Sequence, residues 1–145
     1  MDFQIIKEPM SILEVGLNKG ECITANAGAM VYMSWNIDID TKTRDGGFLL
    51  NWRLGGQSLF INQFSSSTDG SKLGLTGRPL GDIIKILLLK DQDFIVQSGS
   101  YIASTSGIAV DTQWQGLKKG LFVSELFMLK VTGQGGVPEC FWRYH

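Results

Sequence analysis

The sequence predicts an all-β protein of one domain, made from two copies of about 70 residues. Three observations lead there. First, the 145-residue chain matches itself at an offset of 71 residues: Gly28 falls on Gly99, Met30-Val31 on Tyr101-Ile102, Ile37 on Ile108 and Asp40-Thr41 on Asp111-Thr112. Second, apolar residues come in short alternating runs, the period of half-buried strands. Third, 18 glycines against 3 prolines supply the turns that many short strands require. With 43% hydrophobic and 19% charged residues the chain is globular, and a domain of this length buries roughly 70% of its unfolded surface.

Taken in order, Phe3 and Ile5 alternate with Gln4 in an edge strand that Glu8-Pro9 stops. Ile12 to Leu17 is a second strand. Asn18-Lys19-Gly20-Glu21 turns it into Cys22 to Ala25, with Gly20 supplying the positive φ of the hairpin. Ala25 through Met33 reads as strand, small-residue corner, strand. Trp35, Ile37 and Ile39 alternate with Asn36, Asp38 and Asp40, a half-buried strand with its aspartates toward water. Asp45-Gly46-Gly47 is a turn. Phe48 to Leu54 suits a short helical turn or a strand equally, and Gly55-Gly56 ends it. Ser58 to Phe64 is a strand, Ser65 to Gly70 a solvated loop, and Lys72 to Leu75 a strand again.

The second copy begins at Ile83 to Leu89. This run is only seven residues long between polar turns, and its counterpart is the strand at Ile12, so a strand is predicted over a buried helix. Phe94-Ile95-Val96, a corner at Gly99, Tyr101-Ile102-Ala103 and Ile108-Ala109-Val110 follow. After a shift of four residues Ser58-Leu59-Phe60-Ile61 matches Glu125-Leu126-Phe127-Met128. The copies run roughly over 10–76 and 81–137. The place of the strand Lys72 to Thr76 is then held by Gly136 to His145, so the second copy is expected to be shortened, with 138–145 as an aromatic tail.

Charge excludes little but favours little. Thirteen basic and 14 acidic side chains leave a net charge of −1, and the longest like-charge run is Lys118-Lys119. No basic stripe for a phosphate backbone and no polybasic membrane patch results. Cys22 and Cys140 lack metal-ligand spacing and are expected to be reduced thiols. Met1-Asp2-Phe3-Gln4 does not open a signal peptide. The run Ile86 to Leu89 is far short of the ~20 apolar residues of a membrane helix. A cytoplasmic location without membrane insertion is expected.

Leu13-Glu14-Val15, Gly20-Glu21 and Ala25 through Met33 resemble the opening signature of the altered-inheritance-of-mitochondria family. Arg53 to Phe60, Val96 to Ala103 and Phe127 to Gly135 are also similar to its pattern. The resemblance spans residues ~10 to 136. It implies a fold like that of the tryptophan-responsive RNA-binding attenuator: antiparallel sheets wound as a double-stranded β-helix, a sandwich-like core, and a tendency to oligomerise. It does not carry RNA or tryptophan binding with it, because fold does not carry function. Mitochondrial members are linked to inner-membrane organisation, but the first residues here do not look like a transit peptide. Family members usually continue past Gly133-x-Gly135 through further strands, whereas this sequence ends at Phe141-Trp142-Arg143-Tyr144-His145.

No catalytic constellation stands out. The single histidine, His145, is the last residue, where geometry is not held for a general base. Asp38 and Asp40 share a strand face and suit a hard cation, but alternation explains them as a solvent face. Glu21 and Glu125 are isolated. Gly133-Gln134-Gly135-Gly136 is not followed by a helix pattern, so it reads as a turn and not a phosphate cradle. Trp35 and Trp52 are expected in the core. Trp52-Arg53 and Trp142-Arg143 have the composition of stacking or interface pairs.

The leading expectation is a non-enzymatic scaffold or binding protein that acts through homo-oligomerisation, without a cofactor or metal. A missing last strand would leave an edge or apolar face, with Phe141 and Trp142 packing on a neighbouring subunit. The alternative is a small-ligand module whose site, between the sheets or at a subunit boundary, is lined by Trp52, Arg53 and Tyr101. A cupin-like metal enzyme is disfavoured because such sites use several histidines. Nucleic-acid binding ranks last.

Overall fold

The computed structural model describes residues 1–7, 10–41, 61–77, 81–111, 128–136 and 139–144. Within them the chain is all β. The strands are β1 (Asp2–Ile6), β2 (Ile12–Leu17), β3 (Cys22–Asn26), β4 (Met30–Met33), β5 (Ile37–Thr41), β6 (Ile61–Ser66) and β7 (Ser71–Leu75). There follow β8 (Asp82–Leu87), β9 (Asp93–Gln97), β10 (Tyr101–Ser104), β11 (Ile108–Asp111), β12 (Met128–Gly133) and β13 (Glu139–Tyr144). Single 3-10 turns, Ala27–Ala29 and Ser98–Ser100, form the two predicted corners. In the first, the Asn26 side chain accepts from the Gly28 amide at 3.1 Å, capping a turn too short to satisfy itself.

The strands form three antiparallel sheets, in the orders β1-β2-β7-β4, β5-β6-β3-β10-β13-β8 and β11-β12-β9. Strict alternation builds the first. Leu13, Val15 and Leu17 of β2 are fully buried while Ile12, Glu14 and Gly16 are not, because a period of two sends successive side chains to opposite faces. These residues share a core with Ile102, Ala103 and Phe141 of the second sheet. The third sheet contributes Val96, Leu129 and Val131 to a separate core with Tyr101 and Cys140. Neighbours along β10 and β13 thus enter different cores, and the second sheet is a middle layer where those strands run. This explains why all four residues of β10 are buried. A sandwich would leave one face of each strand near water.

The hairpins use the same local devices at corresponding places. Gly20 and Asp91 both adopt positive φ, +84° and +67°. The Asn18 amide donates to Glu21 Oε1 at 2.7 Å, and the Leu89 amide to Gln92 Oε1 at 2.8 Å. The Lys72 amide donates to the Ser34 hydroxyl, and the Glu139 amide to the Thr105 hydroxyl, at 2.9 and 3.0 Å.

Several expectations need correction. Residues 139–144 are not a tail: β13 pairs with β8 over six residues and with β10, in the middle of a sheet. Its sequence, Glu139-Cys140-Phe141-Trp142, alternates only weakly because both faces are covered, so it lacks the strand signal. Trp35 is not in the core. It lies in a turn closed by a hydrogen bond from the Ile37 amide to the Ser34 carbonyl, and it is 93% exposed. Of the alternating set only Ile37 is buried, since β5 is the edge of its sheet. Ser66 is a buried strand residue, not loop, and its hydroxyl is 2.5 Å from that of buried Ser71. The expectations for Phe48 to Leu54, Ser58 to Phe60 and Glu125 to Phe127 lie outside the described residues.

Candidate functional site

The residues expected to form a ligand site or an interface are brought together in part. Tyr101 on β10 and Trp142 on β13 stand opposite each other in register, but in the interior. Tyr101 is 2% exposed. Its hydroxyl shares a 2.7 Å hydrogen bond with Ser104 Oγ and donates to the Thr24 carbonyl at 3.4 Å. Cys140 is buried in the same core. Burial pushes its thiol up to about 12 and holds the Tyr101 phenol far above its ordinary value, since neither charged form can be solvated there. Both groups are therefore neutral and inert. Phe141 is also buried, its ring 4.9 Å from that of Phe3. Trp142 is half-buried and packs edge-on against Phe94 at 4.9 Å. Trp52, Arg53, Glu125 and His145 lie outside the described residues.

The other candidates resolve simply. Asp38 and Asp40 are exposed on β5, and among the described residues no group of three or more His, Cys, Asp or Glu could hold a metal ion. Glu21 pairs with the Met1 amine at 2.9 Å. Gly135 and Gly136 take positive φ in a turn between β12 and β13, as expected.

A constellation that the sequence analysis did not single out lies on the outer face of the first sheet. Tyr32 on β4 donates its hydroxyl to Glu14 Oε2 on β2 at 2.5 Å, and the Lys72 ammonium on β7 lies 3.1 Å from Glu14 Oε1. Between them Gly74 stands opposite both Glu14 and Tyr32. The Tyr32 ring lies on the glycine so closely that a Cβ there would come within 2.2 Å of it. The Tyr32 hydroxyl, then Lys72, holds the Glu14 carboxyl below its ordinary value of 4.5. Glu14 and partial burial push the Tyr32 phenol up to about 12. Only Gly74, a glycine inside an apolar strand, hinted at this close approach.

The remaining surface feature is apolar. Every exposed large apolar residue that belongs to a described strand lies at the end of a sheet: Val31 and Tyr32 on β4, Ile39 on β5, Leu87 on β8 and Ile95 on β9. Sheet ends are where proteins usually place charge or proline to prevent pairing.

The fold and these edges define an all-β protein of layered antiparallel sheets. The chain belongs to the AIM24 family: the profile described as mitochondrial biogenesis AIM24 matches residues 3–139. An uncharacterised protein of Streptococcus pyogenes serotype M6 is 28% identical over 134 residues, covering 86% of this chain and 53% of that protein. The X-ray crystal structure of a Streptococcus pyogenes protein matches 98% of this chain and 63% of its own with a TM-score of 0.73, at 21% identity. The latter likeness is one of fold. The chain spans about half the length of the curated relative and under two thirds of the solved one. Among the described residues no helix is long and apolar enough to cross a membrane.

Proposed function

We propose that the protein is a non-enzymatic scaffold or binding protein of the cytoplasm that acts by associating with copies of itself. The observation that carries this reading is the concentration of exposed apolar side chains on strands at the ends of sheets. Burying such an edge both satisfies its unpaired backbone groups and removes apolar surface from water, at roughly 25 cal/mol per Å².

The reading includes a two-repeat architecture wound as a double-stranded β-helix. Its support is the recurrence of pairings. β7 lies between β2 and β4, as β13 lies between β8 and β10; β6 lies between β5 and β3, as β12 lies between β11 and β9. The left-handed residues Gly20 and Asp91 are 71 positions apart, as are the carbonyl acceptors of the two hairpin turns, Asn18 and Leu89.

Size-exclusion chromatography with light scattering tests the proposal. A discrete species larger than one chain is the expected result. A monomer at every concentration up to the solubility limit would overturn it, and a thermal-shift screen for small ligands would then be the next experiment.

A further inference from the structure

Among the described strands, the pairing of β3 with β10 has an unfilled counterpart. At the 71-residue offset β3 corresponds to β9, and β4 corresponds to β10. Inside the chain β3 and β10 are joined antiparallel, Ala25 opposite Ala103 and Thr24 opposite Ser104. That joint fuses the middle sheet. Among the described residues the counterparts, β9 and β4, are not joined: each ends its sheet and pairs on one side only, with β12 and β7 respectively.

Both β4 and β10 have the same local shape. The ladder of β10 shifts between Tyr101 and Ala103, and that of β4 shifts between Met30 and Tyr32, positions that correspond at the same offset. At the joint this shape seats Ile102 and Ala103 in the core with no exposure. The corresponding residues on β4 are also apolar, yet Val31 is 49% and Tyr32 38% exposed. β4 is also the one strand at a sheet end, among those described, with no charged residue; β1, β5, β8, β9 and β11 each carry at least one. In β9 the charge is confined to Asp93, which is occupied by Lys130 and Thr132. The rest is Phe94-Ile95-Val96-Gln97, with Ile95 exposed.

We propose that the β4 edge of one copy pairs antiparallel with the β9 edge of a second copy, repeating between chains the joint that β3 and β10 make within one. This inference rests on the self-association proposed above and assigns it a surface and a register. By the same offset, Tyr32 stands opposite the partner's Val96, and Met33 opposite the partner's Ile95. The contact is heterologous, since the two edges differ. Each copy therefore retains one free β4 and one free β9, and assembly proceeds head to tail into a ring or an open filament.

Two substitutions test this on the full chain. Val31→Lys blocks the β4 edge and Ile95→Lys the β9 edge. Both side chains are solvent-exposed, so circular dichroism and melting temperature should stay close to wild type and verify the fold. Each variant alone is expected to run as a monomer by light scattering, because every joint requires one edge of each kind. Mixed together, they are expected to give a 1:1 dimer and nothing larger, since one intact β4 then meets one intact β9. Variants that still assemble alone, or a mixture that stays monomeric, would overturn the edge assignment while leaving wild-type self-association standing. A monomeric wild-type protein would overturn both.

Discussion

Tyr32 and Glu14 hold each other through one hydrogen bond, and their titration should record it. Glu14 ionises below its ordinary value of 4.5, so its contribution to stability is present above that pH and fades as pH falls through the lowered value. Tyr32 loses its proton only near 12 instead of 10, so its contribution is complete below pH 10 and is lost as pH rises toward 12. The Tyr32→Phe variant should be less stable than wild type in urea unfolding at neutral pH. Because Tyr32 is more than a third exposed, the loss should stay below about 1 kcal/mol. The gap should narrow as pH falls well below 4.5 and as it rises to about 12; a gap that does not change with pH would show that the hydroxyl acts only through packing. The cysteines allow a second check. Cys140 is buried and neutral, whereas Cys22 is half-buried with its sulfur 3.1 Å from Gln63 Nε2, and both are free thiols. Titration with a thiol reagent should find at most one reactive cysteine per native chain and two after unfolding. Two fast thiols in the native state would contradict the burial of Cys140.

At the scale of elements, two glycines show how close approach depends on what is approached. A Cβ at Gly133 would lie 2.2 Å from the Leu89 carbonyl oxygen and 2.6 Å from that of Leu88. That backbone leads into the tight turn after β8, where the Leu89 carbonyl accepts from the Gln92 amide, and has little room to yield, so Gly133→Ala should cost about 3 kcal/mol. At Gly74 the obstacle is the Tyr32 ring, which is partly exposed and can swing aside at the expense of its bond to Glu14. Gly74→Ala should therefore cost about 1 kcal/mol. Chemical denaturation of both variants decides the order, and a costlier Gly74→Ala would mean the ring is held more firmly than its contacts suggest. The strands themselves were legible to different degrees. β2 announces itself by Leu13, Val15 and Leu17, because one face meets core and the other water. β13 does not, because Cys140 and Phe141 are buried on opposite faces and no alternation survives. Trp35 misled for the opposite reason: a period of two continued past the point where the chain turns out of the sheet.

At the scale of the whole molecule, the layered arrangement sets where the chain opens. β10 is buried on both faces and paired on both sides, so its amides should exchange with solvent at the rate of global unfolding. β4 and β9 end the described sheets and should exchange faster in dilute protein; if copies associate as proposed, that exchange should slow as concentration rises. Hydrogen-exchange mass spectrometry across a dilution series reads both effects. Edge amides that are insensitive to concentration would speak against assembly through these strands.

Much of this protein was determined by sequence alone: its all-β class, its family, most of its strands, both corners and the left-handed turn at Gly20. Each rests on local chemistry, on alternation over a few residues or on glycine's access to positive φ, and local chemistry can be read in chain order. Tertiary structure alone decided that β13 is an inner strand, that Tyr101 and Phe141 are interior, and that Val31, Tyr32, Ile39, Leu87 and Ile95 are exposed on the strands that end the described sheets. Those properties depend on which sheet covers which face. Packing of residues far apart in sequence sets that, so no short window of the chain contains it.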